Sequence, residues 1–245
     1  MKNKAFKHIL NAFLIICVGV FIYYSYALIN AVLKYRAIDN LNNEVRGSYI
    51  INKDNENHHL TIDWNSLLRR NNDVIAWIYI PNTNINHPIL QGENNDVYLH
   101  RDINRNHSIA GSIFADSRNS YLFNDLNTII YRHNMRNGSM FADINRYVSG
   151  ETDSFHPYIY ISLPNGDLKI FEIVSINRID TSSALYEFSA NTKEEYYQII
   201  SQGRIKGNGI DANDINQILT LSTCYGFTSN TQLRTVIFAN LKDSR

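Results

Sequence analysis

NQILTLSTC (216–224), YGFTSNT (225–231) and RTVIFANL (234–241) are the consecutive pieces on which the fold turns. The outer two are short, apolar and β-branched, and the middle one is a polar turn, a pattern that predicts a hairpin. The hairpin sets a lone thiol, Cys224, at the end of one strand and a guanidinium, Arg234, at the start of the next. Working back along the chain, VIAWIYI (74–80), NINHPIL (84–90), GSIFAD (111–116), NTIIYRH (127–133), PYIYISL (157–163) and DLKIFEIVSINRI (167–179) read as further strands. Asn165-Gly166 marks the turn between the last two. Short helices are expected at 64–70, capped by Asp63, at 139–148, capped by Ser139, and over 192–203, with a helical turn at 96–100. Some eight strands with few short helices make a mostly β protein, and a mostly β barrel is its natural architecture.

Upstream, Ile9 to Ile29 (ILNAFLIICVGVFIYYSYALI) contains no charge. A helix of that length spans a hydrocarbon core of about 30 Å. Lys2, Lys4 and Lys7 precede it, which places the N-terminus in the cytoplasm and the body outside the cell. The expected order is a cytoplasmic basic tail (1–8), a transmembrane signal anchor (9–29), a juxtamembrane helix and connector (30–61) and an extracellular catalytic domain (62–245). The juxtamembrane helix is read from Val32, Tyr35, Ile38, Leu41 and Val45 at helical spacing, and the polar run 48–60 as a loop. The apolar run is long for a cleaved signal peptide, so an uncleaved anchor is preferred although Ser25-Tyr26-Ala27 has the small-x-small form. Cys17 falls inside this span and packs against lipid, which leaves Cys224 as the one thiol of the body.

Composition narrows the function. Residues 1–36 hold five basic and no acidic residues, and the remainder holds 18 basic and 23 acidic ones. A body of net charge −5 is not a nucleic-acid binder, since phosphate contacts need clustered Lys and Arg. Two Cys make neither a disulfide scaffold nor a cysteine-based zinc site. His58-His59 lacks a third ligand nearby and reads as a solvated pair. No cofactor is expected.

Three residues can carry chemistry. An Arg beside a thiol favours the thiolate and holds an oxyanion, and His133, in IIYRHNMRNGSMF, can supply the acid and base that a thiol nucleophile needs. On spacing alone, Cys224 reads more readily as a small core residue and His133 and Arg234 as satisfied surface groups, and any of the seven other His could be proposed in place of His133. The residues themselves go further. TLSTC (220–224) followed by an Arg on the next strand resembles the signature of sortases. IIYRHNMRNGSMFADI (129–144) resembles the His segment of class B sortases, and DVIAWIYIPNTNINHPILQGENNDVYLHRD (73–102) their first strands. The resemblance runs over about 62–241 in the same order. Two positions depart from it: Arg132 stands where Gly usually precedes the His, and Gly226 where an acid often follows the Cys.

The resemblance implies a sortase-type eight-stranded barrel and a membrane-anchored cysteine transpeptidase of the Gram-positive envelope. Cys224 would attack the Thr carbonyl of a sorting motif in a secreted surface protein and form a thioester. His133 would exchange protons with the departing and incoming amines, and Arg234 would hold the oxyanion. An amine of a peptidoglycan precursor or cross-bridge would resolve the thioester. By position in the matched segments, Asn95, Leu99, Tyr131 and Ser222 would line the peptide groove, with Tyr186 a further candidate. Tyr131 shares a strand face with His133, and Ser222 with Cys224, by alternation. The helix over 192–203 matches one that class B sortases carry between two late strands. The competing readings are a silent membrane-tethered binding module on the same barrel and another cysteine peptidase of the cell envelope.

Overall fold

A computed structural model describes residues 2–54, 58–133, 141, 143–144, 156–181, 192–205, 210–224 and 232–245, with the backbone alone of 2–5, 204–205 and 224. The chain begins with α1 (Lys2–Tyr49). No Gly or Pro interrupts ALINAVLKYRAIDN, so the apolar span and the juxtamembrane segment form one continuous helix, not two. Its apolar part passes the length and composition requirements of a membrane span, with mean hydropathy 2.3. Two compact units follow from the contacts, 1–43 and 44–245.

In the second unit the last turn of α1 buries Val45 and Tyr49. The segment expected to be a loop forms an antiparallel hairpin, β1 (Ile50–Lys53) with β2 (Leu60–Ile62). These strands are too short to show a period in a polar context. Between them, His58 does not pair with His59 as a solvated group; its ring lies edge-on to His156 with centroids 4.6 Å apart. Asp63 caps α2 (Trp64–Arg70) as expected, accepting from the Ser66 N–H at 3.1 Å.

The barrel strands are β3 (Val74–Tyr79), β4 (Asn86–Leu90), β5 (Phe114–Ala115), β6 (Asn127–Tyr131), β7 (Tyr158–Ser162), β8 (Leu168–Asp180), β10 (Ile218–Cys224) and β11 (Leu233–Ser244). They run in the order β11-β10-β6-β5-β4-β3-β7-β8, and β8 pairs back onto β11 to close the eight. A short β9 (Arg204–Ile205) hangs on β8 outside the ring. Neighbours are antiparallel except β4–β5 and β6–β10. GSIFAD contributes only two strand residues, and β6 stops at Tyr131, so Arg132 and His133 lie just past its end. The Ser139-capped helix falls largely outside the described residues; 143–144 are helical.

Alternation explains the packing. Ile130 of β6, Leu219 and Leu221 of β10, and Ile237 and Ala239 of β11 fill the barrel interior with Ile78, Ile89, Ile161 and Phe171. The intervening Ile218, Val236 and Phe238 face outward, where Tyr196, Ile199 and Ile200 of α3 (Lys193–Ser201) cover them. Thr192 and Glu195 close a capping box at the start of that helix.

Candidate active site

β10 lies between β11 and β6; β6 and β10 end, and the antiparallel β11 begins, at the same edge of the barrel. In the antiparallel register Cys224 is the direct partner of Arg234. In the parallel register Ser222 is the partner of Tyr131, and the Arg132 N–H donates to the Ser222 carbonyl at 3.2 Å. Two residues beyond each of that pair stand Cys224 and His133. The chain therefore sets the Cys224 position beside Arg234 and brings His133, two residues past the end of β6, to the same edge, although the three are 101 residues apart in sequence at the widest.

His133 is half-buried. Its Nε2–H donates to the Leu99 carbonyl at 3.0 Å. A carbonyl only accepts, so the neutral ring carries its proton on Nε2 and its lone pair on Nδ1. Burial first, then the Arg132 guanidinium, hold the imidazole below its usual pKa; the Leu99 bond opposes this, and the charges of His100 and Arg234 reinforce it. His100 also stacks on His133, with centroids 5.9 Å apart. The lowering by Arg132 is in the direction its place beside the His implies. Arg234 is half-buried, and its Nη1 donates to the Leu233 carbonyl at 3.2 Å.

The other sequence candidates fall into two groups. Asn95 and Tyr131 meet at one carboxylate: Asn95 Nδ2 and the Tyr131 hydroxyl each donate to Asp116 Oδ2 at 3.0 Å. The Ser117 N–H donates back to Asn95 Oδ1 at 2.8 Å. Asp116 is buried, which by itself would raise its pKa. Hydrogen bonds from Arg118, Asn95 and Tyr131 more than offset this and hold it at about 2. Sequence reasoning passed over Asp116; the one available signal was a carboxylate closing the apolar run SIFAD. Leu99 meets His133 through its backbone carbonyl. Ser222 is buried on β10. Tyr186 lies outside the described residues.

A strand-end Cys between a His and an Arg on a closed eight-stranded barrel is a narrow combination. Residues 78–242 match the model of the sortase domain. The chain belongs to the sortase family. This sortase is 37% identical to sortase B of Listeria monocytogenes over 177 residues, 69% of this chain and 70% of that one. Its structure resembles Clostridium perfringens sortase B with a TM-score of 0.63 and 34% identity, over 73% of this chain and 99% of that one. It also resembles a Staphylococcus aureus sortase B–substrate complex with a TM-score of 0.64 and 28% identity, over 73% and 84%. These relatives make it a class B sortase, a cysteine transpeptidase of the cell envelope acting on a peptide substrate.

Proposed function

We propose that Cys224 is the nucleophile of this sortase, His133 its acid and base, and Arg234 its oxyanion ligand. The observation that carries the reading is the shared edge of β6, β10 and β11, where the Cys224 position lies between the other two. The thiolate adds to the carbonyl carbon of the Thr in a sorting motif, of the Asn-Pro-x-Thr or Pro-x-Thr-Gly type. The oxyanion so formed is held by the guanidinium. The C–N bond then breaks as imidazolium gives its proton to the leaving amine, and a thioester remains. An amine of a peptidoglycan precursor or cross-bridge attacks the thioester, passes its proton to the imidazole and releases the thiolate. With Nε2 engaged by Leu99, Nδ1 is the nitrogen available for these transfers. Asn95, Tyr131 and the Asp116 that ties them line the groove for the sorting peptide, with Leu99 and Ser222 as further groove residues.

The long helix fits a membrane anchor over 9–29, with residues 1–8 in the cytoplasm and the barrel outside the cell. The chemistry is tested on a panel of Thr-Gly and Thr-Asn sorting peptides, with and without added amine. Cleavage after Thr and amine-dependent ligation are expected for the wild type. Cys224→Ala is expected to abolish both, and Arg234→Ala to lower kcat/KM by about 10²–10³. Retained turnover in Cys224→Ala would overturn the assignment.

A further inference from the structure

The interior just beneath the His133–Cys224 edge contains polar groups that the reaction above does not use. Ile130 and Leu221 point into the barrel core. Arg132 and Thr223 each lie two residues further along the same strand paths, so alternation turns them to the same inner face. The Arg132 N–H bond to the Ser222 carbonyl carries the β6–β10 ladder one step past Tyr131 and sets the two side by side. Arg132 is 4% exposed and Thr223 2%. Arg132 Nε and Nη1 and Thr223 Oγ1 have no hydrogen-bond partner. His87 is buried on β4 between Ile85 and Ile89, on the inward face, and the charges that act on it are those of Arg132 and Arg46, both cations.

We propose that this inner end of the barrel binds a small monovalent inorganic anion of halide size, held by the Arg132 guanidinium and the Thr223 hydroxyl. A buried guanidinium ordinarily has a carboxylate against it, because an uncompensated charge in an apolar interior is among the most costly arrangements a fold contains. No carboxylate among the described residues takes that place beside Arg132. The groups on offer are donors, N–H and O–H, and a halide accepts from both without bringing hydrogens that need acceptors of their own. One negative charge balances the one guanidinium. A monatomic ion also brings no chain with it to a position 4% exposed, as a peptide carboxylate would. Bound there, the anion offsets the positive charge that disfavours imidazolium at His133. The site is thus a charge regulator behind the catalytic edge, and its occupancy is measurable without turnover.

The test is thermal unfolding of the full chain in detergent micelles, in sodium chloride or bromide against sodium gluconate at constant ionic strength. The midpoint is expected to rise saturably by several degrees with either halide. Arg132→Met is expected to remove that rise, and Thr223→Val to move half-saturation to a several-fold higher halide concentration. Equal halide dependence in wild type and Arg132→Met, or none in the wild type, overturns the proposal. If Arg132→Met does not fold, bromide-soaked crystals of the wild type decide it. An anomalous peak within hydrogen-bond reach of Arg132 is expected, and ordered water there in its stead overturns the site.

Discussion

Asp116 shows how a single side chain ties together Asn95 and Tyr131, two residues proposed for the peptide groove. It receives Arg118 Nε at 2.8 Å as well as Asn95 and Tyr131 at 3.0 Å. Its folded pKa lies below the ordinary value of 3.8, at about 2. Its contribution to stability is therefore present above about pH 4 and disappears as pH falls through 2. Asp116→Asn is expected to cost about 1–3 kcal/mol at pH 7 in urea unfolding, the difference shrinking towards pH 2, and to raise KM for the sorting peptide. His87 acts in a higher window on the same acid side. Burial first, and then Arg132, bring its pKa down from 6.5 to about 3. The unfolded chain binds that proton more readily, so stability falls by about 1.4 kcal/mol for each pH unit below 6.5 until the folded pKa is reached. His87→Gln is expected to flatten the decline between pH 6.5 and 4; equal slopes for the two proteins would contradict this. At this scale the pairing of the Cys224 and Arg234 positions was legible, because two apolar β-branched runs flank one polar turn. The importance of Asp116 was not legible, because it comes from two partners 21 and 15 residues away.

At the scale of elements, the segment 95–112 presents the Leu99 carbonyl to His133. Tyr98 is buried, its carbonyl receives the Ser112 N–H at 2.9 Å, and the neighbouring Leu99 carbonyl is left for His133. Gly111 makes the turn possible: its φ is +61°, and a Cβ there would collide with the carbonyls of both Leu99 and Tyr98. Gly111→Ala is expected to cost about 1–3 kcal/mol and to depress kcat further than the stability loss accounts for, because the Leu99 carbonyl must move. Leu99→Ala, which leaves the carbonyl in place, is expected to keep the His133 bond. A normal kcat in a folded Gly111→Ala protein would contradict this role. The sequence pointed to Leu99 as a groove side chain, since a backbone acceptor has no residue signature. For the same reason β1, β2 and β9 escaped notice, being two to four residues long. The strands of five residues and more were legible because alternation had room to repeat.

For the whole molecule, the least legible feature is the closure of the barrel. The pairing runs from Leu233↔Asp180 to Ser244↔Lys169 and joins segments separated by more than fifty residues. Apolar alternation in β8 and β11 predicts two strands and leaves their partnership open. The compact unit also begins earlier than the first barrel strand. Glu44 accepts from Arg70 Nη1 and Nη2 at 2.6 and 3.1 Å, and Val45 and Tyr49 are buried. A chain beginning at residue 44 is therefore expected to melt several degrees above one beginning at residue 50, which loses roughly 2–4 kcal/mol of apolar burial with the ion pair. Equal melting temperatures would contradict that assignment. The central claim is that these elements converge to make Cys224 the acyl acceptor. It is tested most directly by intact-mass spectrometry of the full chain after brief mixing with a sorting peptide. The expected result is an added mass equal to the acyl fragment ending in Thr, mapped to the peptide containing Cys224 and discharged by hydroxylamine. Product formation with the adduct on another residue, or with full activity in Cys224→Ala, would contradict the account.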